Sequence, residues 1–414
     1  MARLAICGGE KIRTAPWPAW PVWDERDEQA VLATLRSGIW GRLTGDRVSA
    51  FEARFAEVQG ADYAVAVVNG SVSLRISLLA AGIEGGDEVV VPPYTFSATA
   101  MSVVEANGVP VFADIEEDTF GLDPDAFERA ITPRTRAVIP VHLGGQAVDM
   151  DRICAIAAAH GITVIEDAAH SHGARSGGRG LGTIGDLGSF SFQSSKNLTS
   201  GEGGIILTNN EDLAERCHSI HHCGRSRGGE WYEHRVLGSN YRMSEMQAAL
   251  LLTQLERLPE QTATRDANGK YLNERLAAIP GIRPLPRRSP EDVNSYHLYP
   301  FRYDAEAFGE IPRSRFVKAV QAEGVGCAEG YTLPLYRQEF FLNKAFGPYT
   351  GWRESNPGLD YNTVCCPVCE RISYEIGCWL PQTYLLGTQA DMDSVVDAIT
   401  KVYECREELA AAEV

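Results

Sequence analysis

Between residues 60 and 210, short runs of apolar, β-prone residues alternate with segments of helical periodicity, and few folds accommodate that rhythm. The strand candidates are Ala64–Val68, Glu88–Val91, Val109–Ile115, Ala137–Val141, Thr163–Glu166, Ser189–Phe192 and Gly204–Leu207. Most are continuous apolar runs, which suits strands buried on both faces. Helical patterns lie between them at Val72–Ala81, Ala98–Asn107, Pro124–Ile131 and Met150–His160. The alternation predicts an α/β fold with a mostly parallel sheet covered by helices. Ligands of such sheets sit beyond the carboxyl ends of the strands, so that is where chemistry is sought.

The rhythm changes after Arg242. Ser244–Leu258 reads as a long amphipathic helix with Ser244 as its cap, and Gln261–Ala278 as a second one. A proline-rich break at Pro280–Pro290 follows. Beyond it come a strand-like YHLYPFRY, a helix over Arg313–Gly324, a loop-rich stretch to about Pro357 and a last helix near Met392–Glu408. Three parts are therefore expected: an N-terminal arm over residues 1–30, a large domain over 31–280 and a smaller α+β domain over 281–414. The arm carries APWPAWPVW, too apolar for a free tail. It is expected to pack on something, such as another subunit.

Four features stand at successive strand ends. Asn69-Gly70-Ser71-Val72 follows the first strand and opens a helix. Exposed N–H groups and the positive helix end make such a turn a phosphate cradle, although alone it more often just caps a helix. Pro92-Pro93-Tyr94-Thr95-Phe96 ends the second strand, and Phe96 suits stacking on a flat ring or a place in the core. Val164-Ile165-Glu166-Asp167-Ala168-Ala169-His170-Ser171-His172 delivers two carboxylates and two histidines. A buried strand-end carboxylate needs a partner. A protonated pyridine nitrogen is one; a metal held by the same four side chains is the competing reading.

The fourth feature is Lys196, alone in the hydroxyl-rich turn of SFQSSKNLTSGEGG. A free lysine is neutral in under roughly one part in a thousand at pH 7. Making it a nucleophile costs roughly 4 kcal/mol, which desolvation can supply. Each feature alone has an ordinary structural explanation. Together they are the parts of a pyridoxal phosphate (PLP) site: phosphate anchor, ring clamp, carboxylate for the ring nitrogen and amine for the aldehyde.

Composition narrows the partners. A net charge of −17 disfavours nucleic acid and anionic membranes, which repel an acidic surface. No apolar run approaches the roughly 20 residues of a membrane span, and the start is not a secretory signal, so a cytoplasmic location is expected. Seven of the ten cysteines are scattered; Cys365, Cys366 and Cys369 cluster in CCPVC. Without a second pair the cluster reads as reduced, mostly buried thiols, not a metal site.

The segments GDEVVVPPYTF, ITPRTRAVIPVHLGG, VIEDAAHSHGA, GSFSFQSSKNLTSGEGG and GSNYRMSEMQAALLLTQLERL resemble the DegT-type sugar aminotransferases, over nearly the whole chain. That resemblance implies the fold type I architecture of PLP-dependent transferases: a seven-stranded, mostly parallel sheet with helices on both faces. It implies that Lys196 is the Schiff-base lysine, Asp167 the pyridine-nitrogen carboxylate and Phe96 the ring-stacking aromatic. It further implies that Gly70, Ser71 and Val72 hold the phosphate with Ser191, and that His170 lies beside the ring hydroxyl. Asn240 matches an asparagine that reaches the phosphate from the partner subunit, which implies a homodimer with shared active sites. Relatives that dehydrate carry His at the lysine position, so Lys196 implies transamination. The implied reaction takes an amino group from glutamine or glutamate to a keto sugar or keto cyclitol, in amino-sugar or antibiotic biosynthesis. The PWPAWP start and SKNLTSGEGG loop resemble the cyclitol and amino-hydroxybenzoate branch. The chain departs from that branch at Trp379-Leu380-Pro381-Gln382, where a histidine pair is usual. Trp40, Arg42, His222, Arg225 and Tyr331 are candidate pocket residues. An amino-hydroxybenzoate-synthase-like enzyme and a non-catalytic PLP-binding regulator are the alternatives. The regulator is disfavoured by the acidic charge and by the lack of a basic helix-turn-helix segment.

Overall fold

The computed structural model describes residues 3–356 and 358–412. Its centre is a seven-stranded sheet. In chain order the strands are β1 (Tyr63–Val67), β2 (Glu88–Val91), β3 (Val109–Phe112), β4 (Thr135–Val138) and β5 (Thr163–Asp167). A two-residue hairpin, β6 (Arg175–Ser176) and β7 (Arg179–Gly180), precedes β8 (Leu187–Ser191) and β9 (Gly204–Thr208). The spatial order is β1-β9-β8-β5-β4-β2-β3. β3, β2, β4, β5 and β8 run parallel, and β9 runs antiparallel to both its neighbours. Gly201 and Gly203, both at positive φ, return the chain from β8 into β9.

Helices cover both faces, as continuous apolar strands require. On one face α2 (Arg47–Gln59) and α8 (Glu245–Leu276) meet Ala66, Phe190, Phe192 and Ile205 through Phe51, Phe55, Leu251 and Leu255. The other face is covered by α3 (Gly70–Ala80), α4 (Ala98–Glu105) and α7 (Glu211–His221). Near β4 and β5, α5 (Pro124–Ala130) and α6 (Met150–His160) close the layer through Phe127 and Ile153. Each such fully buried side chain contributes about 1.5–3 kcal/mol.

Ser244 does cap α8, in a reciprocal capping box with Gln247. The two helices expected there are one, running through Pro259. Proline forfeits a single backbone hydrogen bond. The helix continues because it is held on both sides of the proline: Leu255 and Leu258 are buried under the large sheet, and Leu272 and Leu276 in a second core.

That second core surrounds a three-stranded antiparallel sheet, β10 (Ile282–Pro284), β11 (Leu298–Tyr303) and β12 (Gly377–Pro381). α9 (Arg313–Ala322) and the helix Gln389–Glu404 cover it. The loop-rich stretch between α9 and β12 crosses back to the large sheet. Tyr336, Phe341 and Tyr361 pack edge-on around Phe112 of β3, at 5.7, 5.1 and 5.8 Å. Cys366 and Cys369 are buried in that contact, Cys365 is exposed, and none of the ten cysteines is in a disulfide.

The N-terminal arm lies on its own chain. Leu4 is fully buried in the second core, and its N–H donates to Glu408 at 3.0 Å. The Glu323 carboxylate accepts from the N–H groups of Ala5 and Ile12 at 2.8 and 3.2 Å and from Lys401 at 2.8 Å. Trp17 stacks on Tyr384 at 3.6 Å. Among the described residues, no helix is long and apolar enough to cross a membrane.

Candidate active site

A cavity of about 530 Å³ opens where the carboxyl ends of β1, β2, β5 and β8 face the three-stranded sheet. Asp167, His170, Lys196, Phe96, Gly70, Ser71 and Ser191 all line it. The sequence-predicted residues thus converge, with two exceptions described below. The volume suits a cofactor-sized ligand.

Asp167 ends β5. Successive strand residues face opposite sides, so Glu166 and Asp167 part company. Glu166 turns into the protein, where the N–H groups of Gly182, Ile184 and Gly185 and the His142 ring hold it at 2.7–2.8 Å. Asp167 faces the cavity, with the Thr99 hydroxyl on Oδ2 at 2.7 Å and the Ala169 N–H on Oδ1 at 3.2 Å. Burial pushes its pKa up, against these hydrogen bonds and the Lys196 charge. A buried carboxyl so placed suits a cationic partner.

His170 is buried, and its Nδ1 accepts the Gly144 N–H at 3.2 Å. Burial, then the nearby Lys196 charge, holds its pKa well below the usual histidine range. The ring is therefore neutral, with Nδ1 an acceptor and the proton on Nε2. His297 of the small-sheet side packs against it, centroids 4.3 Å apart. His172 serves the core instead: its Nε2 bonds the Ser191 carbonyl at 2.9 Å, among Phe55, Phe190 and Phe192. Burial lowers its pKa to about 3, so that Nε2 donates. Glu166, Asp167, His170 and His172 thus face different partners, which removes the metal reading of that motif. Among the described residues no group of three or more His, Cys, Asp or Glu is placed to hold a metal ion.

Lys196 sits in the turn between β8 and β9, half-buried with its side chain on the cavity. Burial lowers its pKa to about 8, opposed by the Asp167 charge. Desolvation of the turn supplies what a nucleophilic amine requires.

The cradle forms at the N-terminus of α3, which starts at Gly70 with Asn69 as cap, two residues earlier than the periodicity predicts. A Cβ at Gly70 would lie 2.6 Å from the Ser191 Cβ, so glycine lets the helix end approach β8. Ser71 and Ser191 reach the cavity there, with first-turn N–H groups that the helix itself cannot satisfy. Val72 is the first exception. Its N–H is taken by Asn69 Oδ1 at 2.8 Å, and Val72 does not line the cavity. Asn240 is the second: it is exposed, bridged to His222, and outside the cavity of its own chain.

Phe96 stands at the mouth, 61% exposed. Tyr331 and Trp379 form the opposite wall, edge to face at 5.0 Å. The other candidate pocket residues lie elsewhere. Arg42 pairs with Glu52 at 2.6 and 2.8 Å, and Trp40 donates to the Leu35 carbonyl at 3.1 Å. His222 meets Arg242 at 3.0 Å, and Arg225 lies over Trp231 at 5.4 Å. Sequence reasoning missed Thr99, Gln193, Glu202 and His297. Each sits in a segment already read as helix, turn or strand, with no motif to mark its inward side; only topology brings His297 to His170.

A PLP molecule fits this donor set. The buried Asp167 carboxyl takes hydrogen bonds from Thr99 and Ala169 and has no ion-pair partner among the described residues, the glycine-opened cradle offers hydroxyls and N–H groups, and the amine is depressed.

Comparisons with known proteins place the chain among relatives. A Streptoalloteichus tenebrarius protein, provisionally named L-glutamine:3-amino-2,3-dideoxy-scyllo-inosose aminotransferase, is 39% identical over 407 residues, 97% of this chain and 98% of that one. The L-glutamine:2-deoxy-scyllo-inosose aminotransferase of Micromonospora echinospora is 38% identical over 426 residues, 99% of this chain and all of its own. The crystal structure of 3-amino-5-hydroxybenzoic acid synthase superposes with a TM-score of 0.85 at 32% identity, covering 97% of this chain and 100% of that one. The model of the DegT/DnrJ/EryC1/StrS aminotransferase family matches residues 21–400, and the chain belongs to that family and is an aminotransferase.

Proposed function

We propose that the enzyme uses PLP to move an amino group from glutamine or glutamate to a keto cyclitol, in aminoglycoside-type biosynthesis, as a homodimer with shared active sites. The observation that carries the reading is the convergence of a depressed lysine amine, a buried strand-end carboxyl and a neutral histidine on one cavity. The names of the relatives support glutamine and the cyclitol. The lining supports an acceptor without a nucleotide: among the described residues of the cavity Lys196 is the only Lys or Arg, so a nucleotide diphosphate would find no second cation there.

When bound, PLP supplies the aldehyde that takes up the amino group and the electron-withdrawing ring. Asp167 holds the proton on the ring nitrogen. Ser71, Ser191 and the start of α3 hold the phosphate, and Asn240 of the partner subunit joins them. His170 donates from Nε2 to the ring hydroxyl. Phe96 stacks on the ring and shields one face from water. The Lys196 amine would take the proton from the donor α-carbon and, in the second half of the reaction, deliver one to the former carbonyl carbon of the acceptor. A lysine depressed to about 8 can do both near neutral pH.

Lys196→Ala tests this. The purified variant is expected to lose the visible absorbance of the lysine-linked cofactor and to drop in turnover by at least about 100-fold. Retention of both would sink the proposal. With wild-type enzyme, glutamine is expected to bleach the visible band in a half-reaction, and an added keto cyclitol to restore it. No response to any donor favours a regulatory role; an aromatised product favours the amino-hydroxybenzoate reading.

A further inference from the structure

Arg265 of α8 is fully buried, and among the described residues it pairs with no carboxylate. Its Nη2 donates to Gln382 Oε1 at 2.5 Å, while Nε and Nη1 have no partner among the described residues. The guanidinium also lies 5.3 Å from the Trp20 ring. A buried cation without a counter-ion is costly, and an apolar residue of similar volume would usually serve stability better. The arrangement therefore points to a role other than stability.

Its neighbours supply one. Gln382 follows β12, and its Nε2 donates to the Ser195 carbonyl at 3.2 Å. Trp20 Nε1 donates to the Ser194 carbonyl at 3.0 Å. On the other side of Lys196, Asn197 Nδ2 donates to the Ser295 carbonyl at 2.7 Å. The Lys196 N–H itself closes on the Gln193 carbonyl at 2.9 Å. Residues from the arm and the end of β12 thus meet on the two peptide units before the lysine, and α8 reaches them through Gln382.

Arginine has donors only, whereas a glutamine amide can present either its oxygen or its nitrogen. With Arg265 on one side, the oxygen must face the guanidinium, and the NH₂ group is aimed at the Ser195 carbonyl. We propose that Arg265 is a positioning residue: by orienting Gln382 it fixes the Ser195 carbonyl, and with it the main chain that aims Lys196 into the cavity. The inference rests on the reading of Lys196 as the reacting amine.

Gln382→Glu separates positioning from structure. Its carboxylate pairs with Arg265 and supplies the missing counter-ion, yet cannot donate to the Ser195 carbonyl. The holoenzyme variant is expected to melt no lower than wild type and to lose at least about tenfold in kcat, with the donor KM changed less than about twofold. In the cofactor-free enzyme, amide exchange across residues 193–199 is expected to quicken by about tenfold. A folded Gln382→Glu enzyme with wild-type kcat and wild-type exchange overturns the proposal. Should that variant not fold, the double substitution Arg265→Met with Gln382→Leu removes charge and amide together. It is expected to fold and to show the same faster exchange; wild-type exchange there also overturns the clamp. The exchange reading does not depend on Lys196 chemistry, so an active Lys196→Ala enzyme would refute the reaction while leaving the clamp tested by itself.

Discussion

The chemistry of single residues here is set by burial more than by charge pairing. Lys196 shows this best, because desolvation outweighs the attraction of Asp167 and leaves its pKa at about 8. In the unfolded chain it titrates near 10.4. Between those values the unfolded chain binds more protons than the folded one, so this group makes the cofactor-free protein gain stability as pH rises from about 8 to about 10.4. The amine becomes reactive over the lower end of that window. Acylation of Lys196 in the cofactor-free enzyme, followed by peptide mass, is expected to rise with a midpoint near pH 8. A midpoint above about 10 would mean that the site does not desolvate the amine. Sequence alone exposed Lys196, Asp167 and Phe96, because each stands in a strand-end turn. It put Asp167 rather than Glu166 in the role of the ring-nitrogen carboxylate, but the physical reason, which face of β5 looks at the cavity, becomes visible only in the fold.

At the scale of elements, the parallel sheet was legible because its strands are buried on both faces and so read as unbroken apolar runs. α8 was not, since Pro259 carries a local stop signal that packing at both ends overrides. The same helix anchors α1 (Glu25–Ser37). Arg257 reaches Asp27 at 2.6 Å and Asp24 at 2.7 Å, and Thr253 bonds Asp27 at 2.7 Å. Burial pushes the Asp27 pKa up, but hydrogen bonds from Arg257 and Thr253 overcome it and the net shift is down. A depressed carboxylate stabilises the fold above its unfolded value near 3.9, and that contribution disappears as pH falls through the lower folded value. Asp27→Ala leaves a mostly buried Arg257 with the exposed Asp24 as its one ion-pair partner among the described residues, and is expected to cost about 3 kcal/mol in urea unfolding at pH 7. A loss below about 0.5 kcal/mol would show that α1 is held by its apolar contacts alone. The crossing of Tyr336, Phe341 and Tyr361 onto β3 left no sequence signal, because long-range aromatic packing has no period.

On the whole molecule, the proposed second copy has a surface to cover. Trp231 and Tyr232 are each 76% exposed and Leu237 is 94% exposed, on the segment that leads to Asn240. Sedimentation is expected to give twice the mass of the chain. Leu237→Asp is expected to shift it toward the single chain and to weaken PLP binding, because Asn240 would lose its place; an unaltered dimer with full affinity would put the interface elsewhere. The arm raises a separate matter, that of order in time. Leu4 meets Glu408 across 404 positions. At about 5–20 residues per second, a ribosome releases that docking partner roughly 20 to 80 s after the arm has emerged. For most of that interval Leu4 and Trp17, whose ring stacks on Tyr384, lack the surfaces that receive them, which makes the nascent chain a natural client for a chaperone that holds apolar segments until synthesis ends.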